Sequence, residues 1–187
     1  MNLTKYGFVF ATNLLKSVKS FVLAVVLCLF MPMVIHAQKG NTAVVAASKG
    51  TTSKYKCMVQ MTNYVGEGAY LVMSLIDTKS NYEQTLYVMG SDKKWYPDLK
   101  AWHKAWSKKP SNISAVTGAS VSGGDRSVVT IELDVAKINA GYKIRFETAV
   151  EDKEYYIKDL EVPLTTETLS GKSEGTGYIR YVRFSAN

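Results

Sequence analysis

The chain has 187 residues, of which 47% are hydrophobic, 11% aromatic and 21% charged, a balance that fits one globular domain and excludes a disordered or collagen-like chain. Lysine and arginine outnumber aspartate and glutamate by 23 to 16, but Lys5, Lys16 and Lys19 fall in an N-terminal segment that reads as removable. Without them 20 basic residues face 16 acidic ones, and no basic cluster or recognised motif points to a nucleic-acid partner.

Residues 1–37 follow a secretory pattern: basic residues up to Lys19, an apolar run from Phe21 to Met31, then Val34-Ile35-His36-Ala37 before Gln38. Pro32 ends a run shorter than the ~20 residues of a membrane span, so a signal peptide cleaved after Ala37 is expected in place of an anchor. Leu27 precedes Cys28, where a lipoprotein signal carries a small residue. The expected location is periplasmic or otherwise extracytoplasmic. The 150 residues from Gln38 onward can bury a core without disulfides. Cys57 and His103 are then the only cysteine and histidine, which leaves no metal site and no catalytic triad to expect. Cys57, inside Cys57-Met58-Val59-Gln60-Met61, reads as a small buried hydrophobe.

Residues 38–53 are small, polar and weakly patterned, and read as a linker ahead of a domain over 54–187. Seven strands are expected there: Tyr55–Thr62, Ala69–Ile76, Gln84–Met89, Val128–Leu133, Tyr142–Val150, Tyr155–Val162 and Tyr178–Phe184. Turn signals at Gly66-Glu67-Gly68, Ser122-Gly123-Gly124-Asp125 and Gly171 to Gly177 separate several of them. Short strands with hairpin-length gaps predict an all-β fold, an antiparallel two-layer β-sandwich of Ig-like kind with one short helix. In Tyr142-Lys143-Ile144-Arg145-Phe146-Glu147 the alternation assigns the apolar set to the core and the charged set to water.

The helix is expected over Trp95–Trp106. Pro97 suits a first helical turn, Asp98 suits its positive end, and Trp95, Leu99, Trp102 and Trp106 recur at spacings of 4, 3 and 4 along one face. All three tryptophans of the chain lie in it. That face packs across the sandwich, and one of its rings is also a candidate stacking surface for a ligand. His103 lies off the apolar face and reads as solvated.

The segment Ser114 to Gly124 is small, polar and rich in hydroxyls. Gly118 and Ala119 remove bulk between the Thr117 and Ser120 hydroxyls, so another protein's active site can approach the backbone closely. No general base stands beside either hydroxyl in the sequence, which argues against a hydrolytic nucleophile.

Thr117-Gly118-Ala119-Ser120 resembles the flavinylation motif Asp-x-x-Ser/Thr-Gly-Ala-Thr/Ser, with Ser114 at the acidic position and Ser at the acceptor position where Thr is usual. Trp95-Tyr96-Pro97-Asp98-Leu99 with Trp102, the Thr-Gly-Ala-Ser loop, and Gly141-Tyr142 leading to Phe146-Glu147-Thr148-Ala149 together resemble the family called domain of unknown function 2271, over roughly residues 55 to 164. The resemblance implies an extracytoplasmic electron-transfer flavoprotein, without catalytic residues of its own. FMN would be joined through its phosphate to Ser120 by an FAD:protein FMN transferase, with Thr117, Gly118 and Ala119 as recognition residues. A membrane flavin reductase of the PepSY type would be the electron donor, and Trp102, Trp106 or Tyr96 would stack on the ring. The competing reading is a secreted β-sandwich binding module for a glycan, peptide or partner protein, without cofactor.

Overall fold

A computed structural model describes residues 50–187. The expected signal peptide and residues 38–49 of the expected linker lie outside the described residues. Nine strands form two sheets: β1 (Thr52–Met61), β2 (Tyr70–Ile76), β3 (Tyr82–Met89), β4 (Thr117–Gly118), β5 (Arg126–Asp134), β6 (Lys143–Ala149), β7 (Tyr155–Pro163), β8 (Lys172–Glu174) and β9 (Ile179–Ala186). One sheet has the order β5-β1-β9-β8 and the other β4-β3-β2-β6-β7. All seven expected strands are present, and β1 begins at Thr52, inside the segment read as linker. The two additions, β4 and β8, arise in segments whose composition signals turns.

The sheets bury a shared core. Cys57, Val59, Ile131, Val182 and Phe184 of the first sheet meet Leu71, Met73, Leu86, Ile144 and Phe146 of the second. Cys57 is fully buried, its Sγ 3.7 Å from Met73 Sδ, and burial pushes its thiol far up. A buried carboxylate ties the sheets at one end. Asp159 on β7 accepts the Thr148 hydroxyl at 2.6 Å and the backbone N–H groups of Thr176, Gly177 and Ile179 at 3.1, 2.8 and 3.0 Å. Four charge-assisted bonds satisfy the carboxylate that the fold encloses.

The five-stranded sheet is buried on both faces. Its outer face carries Val72, Val88 and Ala149, which pack with Tyr96, Leu99, Trp102 and Ile113 in a second core. The covering layer is not one helix. A 3₁₀ turn runs over Lys93–Asp98 and an α-helix, α1, over Lys100–Lys108. Pro97 disfavours α geometry at Tyr96 before it, and Leu99, at φ −80° and ψ 63°, separates the two pieces. Trp102 and Tyr96 are each 1% exposed, and their rings meet edge to face at 5.3 Å. Trp106 stacks on Trp102 at 5.5 Å. Trp95 leaves the expected face because the break at Leu99 resets the helical phase; it is half-buried, with Lys94 Nζ 4.9 Å from its ring centroid. His103 is half-buried, not fully solvated.

Two expectations about charge are corrected here. Asp98 does not cap α1: Ala101 N–H donates to Tyr155 Oη at 3.0 Å and Trp102 N–H to Glu147 Oε2 at 3.2 Å, so the helix N-terminus is satisfied across space. Arg145 and Glu147 do not face water; they are 6% and 0% exposed because the helical layer covers their face. Glu147 also accepts the Tyr82 and Tyr155 hydroxyls, each at 2.5 Å, while Arg145 Nε donates to Glu161 at 2.7 Å.

Trp102→Ala should cost about 3–5 kcal/mol, the range for deleting a large core aromatic, and thermal unfolding checks it. Glu147 supplies a second expectation. Burial pushes its carboxyl above the ordinary range, while the bonds from Tyr155, Tyr82 and the Trp102 N–H pull it down. A carboxyl raised on folding stabilises the fold at acid pH and loses that contribution as pH rises through its folded value. Wild type should therefore gain stability relative to Glu147→Gln as pH falls from neutrality toward ~4.3, the unfolded glutamate value. Unfolding midpoints of both proteins across pH test the sign, and a trend in the other direction would mean that the carboxylate form is the favoured one.

Candidate functional site

The Thr-Gly-Ala-Ser segment is held at both ends. A 3₁₀ turn over Ser114–Val116 leads into β4, which lies parallel to β3 with Thr117 opposite Val88 and Gly118 opposite Met89. Gly90 N–H closes the pairing on Gly118 O at 2.8 Å. Thr117 Oγ1 donates to Ile113 O at 2.8 Å, so this hydroxyl is spent on the turn before it. Beyond the tip, Ala69 and Val121 exchange backbone bonds at 2.8 and 3.1 Å. Tyr64 Oη reinforces them, donating to Val121 O at 2.6 Å and accepting Ala69 N–H at 2.8 Å.

Between these anchors only Ala119 and Ser120 are exposed. The Ser120 hydroxyl makes no hydrogen bond among the described residues, in contrast to Thr117. Two glycines give the tip its room: a Cβ on Gly68 would stand 2.6 Å from Ser120 Oγ, and one on Gly118 2.6 Å from Tyr87 Oη. The first contact shows how closely β2's leading turn approaches the hydroxyl.

Ser120 stands on a ridge between two hollows. One, of ≈ 210 Å³, is walled by Tyr70 and Trp95 and carries Glu67, Asp92, Asp98 and Glu151. The other, of ≈ 180 Å³, holds Tyr87, Ala119, Asp125 and Arg126. Arg126 Nε donates to Gln60 Oε1 at 3.1 Å, leaving its terminal nitrogens without a partner among the described residues. The ridge thus divides a side lined by four carboxylates and no cation from a side where a guanidinium stands with Asp125. No His/Cys/Asp/Glu group able to hold a metal occurs among the described residues.

The sequence places Ser120, Thr117, Gly118 and Ala119 together, as contiguous residues must be. Trp102 does not join them. It lies on the buried face of α1 and lines neither hollow, because its ring packs against Tyr96 and Trp106. Trp95 and Tyr70 occupy the position beside Ser120. Arg126, Gly68 and Tyr70 were not legible as site residues; Gly66-Glu67-Gly68 signals a turn, but nothing in the sequence brings it to residue 120.

A family model described as "Predicted periplasmic protein (DUF2271)" matches residues 52–181, from the start of β1 into β9. The chain belongs to the DUF2271 family. The match contains Ser120 and both hollows, and the family description agrees with the extracytoplasmic location expected from the N-terminal segment. No curated protein and no solved structure matches the chain. Among the described residues no helix is long and apolar enough to cross a membrane.

Tyr64 offers a direct test of how the DUF2271 loop is held. Tyr64→Phe removes the hydroxyl that bridges Val121 and Ala69 and should cost about 0.5–1.5 kcal/mol. The Val121 amide should exchange its hydrogen faster than in wild type, while amides of β6 keep their protection. Unchanged exchange at Val121 would mean that the Ala69 pairing alone holds the loop.

Proposed function

We propose that the protein is an extracytoplasmic electron-transfer flavoprotein that carries FMN covalently, through its phosphate, on Ser120. The observation that carries this reading is the free, exposed hydroxyl of Ser120 at a two-residue tip whose flanks are fastened to β3 and to Ala69. A modifying enzyme needs an accessible nucleophile on a backbone it can grip, and a rigid mount limits where the tethered group can swing. The residues around the tip fit the group. Arg126, which shares its hollow with Asp125, has guanidinium nitrogens without a partner among the described residues that a phosphodiester on Ser120 could use. Trp95 and Tyr70 wall the other hollow with aromatic surface.

The modification balances without redox change. Ser120 Oγ forms a bond to the FMN-side phosphorus of FAD, the pyrophosphate P–O bond breaks, AMP departs, and the hydroxyl proton passes to solvent or to the transferase. Once bound, FMN supplies one- and two-electron redox chemistry. The chain's task is to hold and orient it at the surface, so that a membrane flavin reductase of the PepSY type can deliver electrons. The covalent link keeps the group from being lost outside the cytoplasm.

Co-expression with an exported FAD:protein FMN transferase, followed by intact-mass measurement and in-gel flavin fluorescence, tests the assignment. Wild type should gain the mass of one FMN less one water, and Ser120→Ala should gain nothing. Ser120→Thr should be labelled at least as well. Thr117→Ala keeps the acceptor and loses the bond to Ile113, so labelling should slow without disappearing. Covalent flavin on Ser120→Ala would move the acceptor elsewhere. A wild type never labelled by an active transferase would favour a cofactor-free binding module.

A further inference from the structure

A cavity of ≈ 380 Å³ opens on the outer face of the five-stranded sheet, between α1 and the turn at residues 109–113. Ser74 of β2 and Thr85 of β3 line its sheet side, and the rings of Tyr82 and Trp106 line it beside Ile113 and Val116. Ser74 is fully buried, and its Oγ has no hydrogen-bond partner among the described residues. A hydroxyl removed from water without a partner carries its whole desolvation cost. A satisfied core would place alanine there.

The other polar groups of the cavity divide by role. Thr85 Oγ1 accepts Trp102 Nε1–H at 2.9 Å, which leaves its own proton to donate. Asn112 Oδ1 accepts Ser114 N–H at 3.0 Å, leaving the amide protons, and Lys109 also lines the cavity. Several of the acceptors, by contrast, are engaged. Glu83 is paired with Lys137, Ser111 O takes Trp106 Nε1–H at 3.2 Å, and Tyr82 Oη takes Arg145 while donating to Glu147. Apart from the Gln84 amide at the exposed rim, which makes no hydrogen bond among the described residues, what remains on offer is mostly donors beside aromatic walls.

We propose that this cavity binds a flat aromatic ring bearing carbonyl or carboxylate oxygens, with the ring against Trp106 and an oxygen on the Ser74 and Thr85 hydroxyls. Aromatic walls select a planar ligand, and unpaired donors favour an acceptor over a bare ring or a donor-rich sugar. The proposal stands apart from the flavin reading, since Ser120 does not line this cavity.

Titration of the full mature chain with 1,4-naphthoquinone, 2-naphthoate and naphthalene tests it, read by calorimetry and by the indole N–H resonances of the three tryptophans. One or both of the oxygen-bearing probes should shift Trp102 and Trp106 and leave Trp95 unmoved, and naphthalene should bind at least threefold more weakly. A response to the quinone alone assigns neutral carbonyls; a response to the naphthoate alone assigns carboxylates held by Lys109. Ser74→Ala should weaken binding at least threefold without lowering the melting temperature, because its hydroxyl holds nothing in the free protein. Absence of shifts with both oxygen-bearing probes, equal affinity for naphthalene, or unchanged affinity in Ser74→Ala would overturn the proposal. So would a melting temperature several degrees lower in Ser74→Ala, which would reveal an internal partner for the hydroxyl.

Discussion

Both faces of the five-stranded sheet are withdrawn from water, and the placement of every other layer follows from that. A sheet in a two-layer sandwich ordinarily covers one face and leaves the other to water. Here β2 and β6 are buried at nearly every position, so a third layer is required. The segment from Lys93 to Lys108 supplies it with Tyr96, Leu99 and Trp102. The layer is fastened as well as packed, because Glu147 and Tyr155 receive the N–H groups that open α1. A helix as short as α1 is marginal alone, and its stability comes from that docking.

The same layer shapes the ground on either side of Ser120. Trp95 reaches the hollow beside the serine because the 3₁₀ turn ends at Leu99 and turns the ring away from the buried face. β3 carries the pairing that holds Gly118, and β2 begins where Ala69 holds Val121. The loop is therefore mounted on the edge of the sheet that the helical layer covers. Functional groups set on a rigid scaffold keep their geometry better than groups on a free loop. Four carboxylates without a cation line one side of Ser120, whereas Arg126 stands beside Asp125 on the other, so the two sides of the ridge differ in charge.

The strands were legible because β-branched and aromatic residues recur with period two between turn residues, and the Trp-rich helix because its apolar residues repeat at helical spacing. Arg145 and Glu147 misled for the same reason that the strands succeeded. Alternation says that two faces differ; it does not say what covers each. Chemical type alone suggests Trp102 as a stacking residue near Ser120, but its ring packs between Tyr96 and Trp106 and lines neither hollow there. Short β4 left no pattern, since two residues with small side chains owe their extended conformation to the Val88 and Met89 backbone opposite them.

The β-sandwich class, most strand positions, the existence of a docked aromatic helix and the Thr-Gly-Ala-Ser tip can be read from the amino-acid order, because they are local in the chain and carried by periodicity or contiguity. The folded chain alone reveals that Glu147 caps α1 from 45 residues away, that Gly68 makes room for Ser120, that Trp95 and not Trp102 stands beside it, and that Ser74 is enclosed without a partner among the described residues. These are contacts between residues far apart in sequence. Side-chain identity states what such residues can do, and the packing of sheet against helical layer settles which of them meet.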